Sequence, residues 1–302
     1  MLETLSIADA VRTAFPFTVD KFRLQGPDNM RTDHFGLFRS DTRECTGRAC
    51  KEIYVAHQTD DVVALVEAAQ TVFGEGDTDV KCHWRDGHYV TVSPSKDIRK
   101  SLAGGKDNNF PRLIIRAGYD GKAFSTTLGL YRDVCSNLMM MRHVAGTTTT
   151  IRHTSGLRGK MDDLITDFES LQGGWQAVQE YIDNLSNRQV ALQDFLEHLY
   201  PTPKPDASQN TVTRHKNTIS AIVNRCLREH QKVGQNWTSD QGKLGVSAWM
   251  AYNAVTGFVE HDKVRKTRKG EPAAGQFDRS ILAMNDSVVA KADNYLHRLV
   301  TA

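Results

Sequence analysis

Cysteine, histidine and arginine side chains set the range of chemistry open to this chain, and their spacing narrows it. Cys45 and Cys50, four residues between them, form with Cys82-His83 the one metal-like grouping. Structural zinc sites pair one short C-x2–4-C knuckle with a second, and the second is missing here. If 36–55 is a hairpin, Cys45 and Cys50 lie on one strand and face opposite sides. No metal and no cofactor are expected. Cys135 with His143 or His153, oriented by Asn137, would imitate a Cys–His nucleophile pair. Cys135 sits in an apolar run, however, where a buried thiol stays protonated and inert. No G-x-S-x-G, H-E-x-x-H, P-loop or G-x-G-x-x-G occurs. The shortage of carboxylates around Cys135 and His153 argues against a two-metal nuclease built there, and His261 adds only its neighbours Glu260 and Asp262. No catalytic residue is assigned, and a non-enzymatic role is expected.

The basic residues are more informative. Between Asp133 and Asp162 there is no carboxylate, while Arg142, Arg152, Arg158 and Lys160 fall there with His143 and His153. A second basic face, with Arg214, Lys216, Arg225, Arg228 and Lys232, belongs to a helical stretch over 213–233. A third runs from Lys263 to Lys269 and includes Lys266 and Arg268. The net charge is only +2, so three basic runs mean that charge is segregated along the chain. Arginine and lysine contacts to phosphate supply most non-specific affinity for nucleic acid, and aromatic rings stack unpaired bases. These runs therefore predict an anion surface, with Arg142, Arg152, Arg158 and Lys160 foremost for phosphate. Arg214, Lys216, Lys266 and Arg268 are secondary.

The elements that must position these residues follow from periodicity. Thr4 to Ala14 has helical spacing, stopped by Pro16, and Phe17 to Phe22 is extended. Residues 35–55 read as strand, turn, strand. A helix from His57 or Thr59 to Gly74 has Thr59 as a suitable N-cap, with Asp60 and Asp61 in its first turn. Two Asp-Gly turns, Asp86-Gly87 and Asp120-Gly121, each lie between runs of alternating apolar residues and predict hairpins. Residues 104–109 read as a mobile loop. Val134 to Met141 reads as a buried segment of one or two helical turns. Beyond it the apolar spacing becomes helical over 160–199, with a kink or split at Gly173-Gly174. A proline-rich connector over 201–210 precedes helices over 213–233, 245–260 and 277–300. The expected class is α+β: an antiparallel β-rich region over 1–156 with a packed helix, then a helical region over 157–302.

The bulk composition agrees with a globular protein. The 302 residues are 25% charged and 39% hydrophobic, enough to bury a sizeable core. No apolar run approaches the ~20 residues of a membrane span. The opening residues, with Glu3 and Asp9, do not resemble a signal peptide. Five scattered cysteines suit free thiols in a reducing cytoplasm.

Several short patterns occur together in one order. They are Phe38-Arg-Ser-Asp-Thr42 with Glu44 and Gly47, Tyr54 to Gln58, Asp120-Gly121, Val134-Cys-Ser-Asn137, Ile151-Arg-His-Thr154, and Trp249 to Thr256 with His261. This set resembles the phage/plasmid-like protein family, of the domain-of-unknown-function 932 type, over most of the chain. Thr59 stands where that family commonly has Asn, and Met284 to Ser287 lacks its usual glycines. The resemblance implies a mobile-element protein in the bacterial cytoplasm and supplies no established activity. The family's recurring polar positions map to Cys135, Asn137, His153, Thr154, Asn253, Thr256 and His261. These residues either line a site or satisfy hydrogen bonds where sheet meets helices.

The expected function is that of a nucleic-acid-binding accessory protein, with a preference for single-stranded DNA in replication or annealing recombination. Such a protein is expected to form a homo-oligomer. The alternative is a protein-binding module that inhibits or redirects a host or defence factor.

Overall fold

The computed structural model describes residues 6–73, 78–84, 87–93, 99–102, 105–119, 123–132, 137–140, 148–166, 169–233, 238–240, 243–263, 279, 283 and 286–301. The class is α+β, with antiparallel sheets and a helical C-terminal part. Two compact units are assembled from discontinuous stretches. One comprises 1–98, 111–129 and 145–175; the other comprises 99–110, 130–144 and 176–302. No helix among the described residues is long and apolar enough to cross a membrane.

The first unit begins with α1 (Ile7–Ala14), whose first turn is capped by the Ser6 hydroxyl accepting from the Asp9 amide. Strands β1 (Val19–Gln25), β2 (Arg31–Arg39) and β3 (Cys45–Cys50) follow as an antiparallel three-stranded sheet. Helix α2 (Thr59–Phe73) buries Val62, Val63, Leu65, Val66 and Ala69, and burial stabilises each of the larger ones by about 1.5–3 kcal/mol. Thr59 is not its N-cap. That place belongs to Gln58, whose amide donates to the Asp61 carboxylate at 2.6 Å. Thr59 is instead the first helical residue, and its hydroxyl points away to donate to the Phe15 carbonyl at 3.0 Å.

A longer sheet contains β4 (Asp79–Trp84), β5 (Gly87–Ser93), β7 (Asp107–Gly118), β8 (Phe124–Arg132) and β10 (Thr148–Ile151). Their order across the sheet is β10-β8-β7-β5-β4. Both Asp-Gly hairpins are present: β4 pairs with β5, and β7 lies beside β8. β5 is buried along both faces, as expected for a central strand covered by a helix, and α2 lies against it. Short β6 (Lys100–Leu102) pairs with the start of β7, and β9 (Asn137–Met140) pairs with β8. Two expectations fail here. Residues 107–109 are strand rather than mobile loop, because Asp107 and Asn109 are buried against polar partners that their composition does not reveal. Residues 137–140 are strand rather than helix, because pairing to β8 satisfies the backbone of this apolar run.

After β10 come α3 (Leu157–Thr166) and α4 (Glu169–Asn187). Gly173-Gly174 lies within α4 and does not split it; a helical glycine costs only about 1 kcal/mol, which packing elsewhere on the helix outweighs. Helices α5 (Leu192–Leu199), α6 (Gln209–Val233), α7 (Ala248–Gly257) and α8 (Ser287–Thr301) complete the second unit with a small sheet. That sheet is built from β11 (Gln189–Ala191), β12 (Thr238–Asp240) and β13 (Lys243–Ser247), in the order β11-β13-β12. The expected helix over 245–260 therefore starts later, at Ala248, where the Ser247 hydroxyl caps it. All ten residues of α7 are buried, and α6 and α8 lie against it. It passes into a π-helical turn at Phe258–Asp262, a wider winding often found at functional positions.

Candidate functional site

The first unit contains an open pocket of about 430 Å³, within the range of small-molecule sites. Three rings line it, those of Tyr54, Tyr119 and His153. Two cations, Lys51 and Arg152, line it as well, together with Ala49, Cys50, Ile53, Ala123 and Thr154. No carboxylate is among these residues. The chemistry offered is that of a flat ligand carrying negative charge.

Local geometry explains why the walls stand where they do. Gly47, in β3, has a φ of +75°, and a Cβ there would lie 1.9 Å from the Tyr119 carbonyl oxygen. Only glycine permits that approach, which brings the end of β3 over Tyr119. Residues 51–54 then turn, with the Tyr54 amide donating to the Lys51 carbonyl at 3.1 Å. Lys21 pins this turn from β1: its ammonium donates to the carbonyls of Glu52 at 2.6 Å and Tyr54 at 2.9 Å. The Val55 amide donates to the His153 carbonyl at 3.2 Å, tying the turn to the segment after β10. The Tyr54 and His153 rings stack at 4.8 Å with 16° between planes.

Behind the pocket the rings continue into the core. Tyr119 donates its hydroxyl to the His57 carbonyl at 2.6 Å, and its ring stacks on the His57 ring at 4.3 Å. His57 Nε2 lies 2.9 Å from His88 Nδ1, and His88 Nε2 lies 3.3 Å from the Thr59 hydroxyl. The Thr59 hydroxyl also reaches the Phe15 and Phe17 carbonyls, at 3.0 and 3.3 Å. When it donates to either, His88 donates to Thr59 and His57 to His88, and the other pair of tautomers reverses both bonds. Both rings are neutral in either arrangement. Burial pushes His88 down to about 3, with the Arg39 charge adding to it. Burial, then the neighbouring His88 and His153, holds His57 well below its ordinary 6.5. Burial also raises the Cys50 thiol, so it is not poised as a thiolate nucleophile. Among the described residues no group of three or more His, Cys, Asp or Glu could hold a metal ion.

The residues singled out in the sequence fall in different places. Arg152, His153 and Thr154 line the pocket; Arg152 is exposed and His153 is buried behind Tyr54. Arg158 and Lys160 stand exposed in the first turn of α3. Arg158 has a distant partner in Asp61 at 3.8 Å, whereas Arg152 and Lys160 have no carboxylate partner among the described residues. Arg214 and Lys216 are exposed on α6 of the second unit. In that unit Asn253 donates to the Trp249 carbonyl, and Thr256 donates to Tyr252 and Asn253 carbonyls, all within α7. Those bonds return each side chain to the backbone of its own helix. His261 is half-buried in the π-helical turn. Arg142, Cys135, Lys266 and Arg268 lie outside the described residues, and Asn137 is described only as part of β9.

Sequence reasoning missed Tyr119 and Lys51 in the pocket and the His57–His88 pair behind it. Their signal is spatial, since His57 and His88 are 31 positions apart. It also missed an internal ion cluster in the second unit. There Arg132 donates from Nε and Nη2 to the Asp107 carboxylate at 2.7 and 2.8 Å, and from Nη1 to Glu229. Trp249 Nε1 donates to Asp107 at 3.1 Å. This guanidinium is wholly buried and occupied, so it holds the fold rather than a ligand.

A family model described as Domain of unknown function (DUF932) matches residues 48–282. No curated protein and no solved structure matches the chain.

Proposed function

The chain belongs to the DUF932 family, and from that premise we propose that it is a non-enzymatic nucleic-acid-binding protein of a phage or plasmid, holding single-stranded DNA during replication or annealing recombination. The observation that carries this reading is the pairing of exposed cations with rings in the first unit. Arg152 and Lys160 are exposed without a carboxylate partner among the described residues, and Arg152 borders the ring-lined pocket. An unneutralised arginine beside aromatic faces is suited to a phosphate followed by a base. Arg158, its side chain 77% exposed, is held only loosely by Asp61 and is free to turn to phosphate. Annealing along a strand requires several copies, so the protein is expected to act as a homo-oligomer in the bacterial cytoplasm.

Fluorescence anisotropy with labelled single- and double-stranded oligonucleotides, titrated from low to physiological salt, tests the reading. Salt-sensitive binding with a single-strand preference is expected. Replacing Arg142, Arg152, Arg158 and Lys160 with Ala should flatten the salt slope by about 0.7 for each phosphate that is no longer neutralised. An unchanged slope refutes the assignment of these residues. The second reading, a module that binds a host or defence factor, is favoured by exposed Phe22, Met30 and Ile53. Absence of oligonucleotide binding even at low salt would leave that reading in place of the first.

A further inference from the structure

We infer that the pocket of the first unit is a nucleotide site that takes a single base, with Lys51 and Arg152 receiving the phosphate. This deepens the nucleic-acid reading and rests on it. Three features point to a base. The Tyr54–His153 stack and the Tyr119 ring give the pocket aromatic walls. Both cations that line it are exposed at its surface, where a phosphate attached to an inserted base would lie. Among the described residues the lining carries no carboxylate, so these residues add no repulsion toward an anionic ligand.

The walls are also held in place without a ligand. Lys21 fixes the 51–54 turn through two carbonyls, and the Val55–His153 backbone bond fixes its far side. The Tyr119 hydroxyl is committed to the His57 carbonyl, and its ring is stacked on His57 and buried. Tyr119 thus forms a fixed floor, and the half-buried Tyr54 is the ring placed to meet the ligand. A preorganised wall loses little conformational freedom on binding. Rings stack on every base, so the site should be tolerant of base identity. A free mononucleotide and one residue of a single strand share this chemistry, and the experiment separates them.

The test uses the full chain with a thymidine oligonucleotide carrying one 2-aminopurine, and in parallel AMP and inorganic phosphate as competitors. Stacking in the pocket should quench 2-aminopurine emission. Tyr54→Ala should abolish the quench and weaken binding by about 5- to 150-fold, while Tyr54→Phe keeps both. AMP should compete far better than phosphate. Oligonucleotide binding seen by anisotropy, but with 2-aminopurine emission unchanged and Tyr54→Ala equal to the parent, overturns the pocket assignment and leaves the surface reading standing. AMP binding that disappears in Tyr54→Ala, with no oligonucleotide binding, supports the pocket for a free nucleotide and overturns the single-strand reading. No binding of either overturns both. Circular dichroism of Tyr54→Ala checks its fold, and Arg152→Ala is a second variant that leaves the rings intact. In Arg152→Ala, AMP should lose affinity while the quench at saturation persists.

Discussion

The neutral His57–His88 pair makes stability depend on pH in a way that one substitution isolates. In the unfolded chain each ring titrates near its ordinary 6.5, whereas burial drives His88 down to about 3 and His57 well below 6.5. Below 6.5 the unfolded state therefore binds protons that the folded state refuses. The stability associated with these rings is fully present above 6.5 and is lost as pH falls toward the folded values. Each proton taken up only on unfolding contributes about 1.4 kcal/mol per pH unit, so the pair contributes about 2.7. His88→Gln removes one titrating group and keeps a donor and an acceptor between His57 and Thr59. It should lower stability near neutral pH by about 1–3 kcal/mol. Its loss per pH unit between about pH 5.5 and 4.5 should be shallower than the parent's by about 1.4 kcal/mol. Urea unfolding followed by tryptophan fluorescence at several pH values gives both slopes. Carboxylates contribute equally to the two proteins, so the difference between slopes is the quantity to read. Identical slopes would refute the neutral pair.

Three further outcomes follow from the packing. Gly47→Ala forces a side chain into the Tyr119 carbonyl at a positive φ and should cost at least about 2 kcal/mol in urea unfolding. Arg132→Met strands the Asp107 and Glu229 carboxylates and should cost about 3–5 kcal/mol. Adding Asp107→Asn and Glu229→Gln to that variant should return much of the stability, and failure to do so would show that shape rather than charge dominates. Arg158→Ala, which removes a long 3.8 Å contact from an exposed guanidinium, should change stability by less than about 0.5 kcal/mol while lowering oligonucleotide affinity.

Sequence patterns reveal what is local and conceal what is distant. The two Asp-Gly hairpins, α2 and the proline-rich connector are visible because turn chemistry and side-chain period act over a few residues. Asp107 and Asn109 look like loop because their partners are elsewhere: Arg132 is 25 positions from Asp107 and 97 from Glu229. The run at 137–140 looks helical because its residues are apolar without alternation, and only pairing with β8 makes it a strand. Of the pocket, Arg152, His153 and Thr154 stand out as a basic and polar cluster. Tyr54 reads only as part of a strand end, and Tyr119 only as a residue before a turn. Their meeting depends on Gly47, whose role is to admit a neighbouring backbone, a requirement that leaves no mark on hydrophobic pattern.

The buried Arg132 cluster also bears on how the chain comes off the ribosome. Every stretch of the first unit lies before residue 176, so its core can close while synthesis continues. The second unit is different: its earliest strands carry the Asp107–Arg132 pair, which lacks Glu229 and Trp249 until those residues have been made. Until then an arginine and a carboxylate destined for the interior remain hydrated, and the apolar strand residues beside them stay accessible. The expected outcome is that nascent chains stalled after the first unit resist protease over most of that unit, yet remain cleavable at 105–110 and 130–132 until α7 emerges. Protection of those segments in the shorter chains would mean that this part of the protein forms without its C-terminal partners.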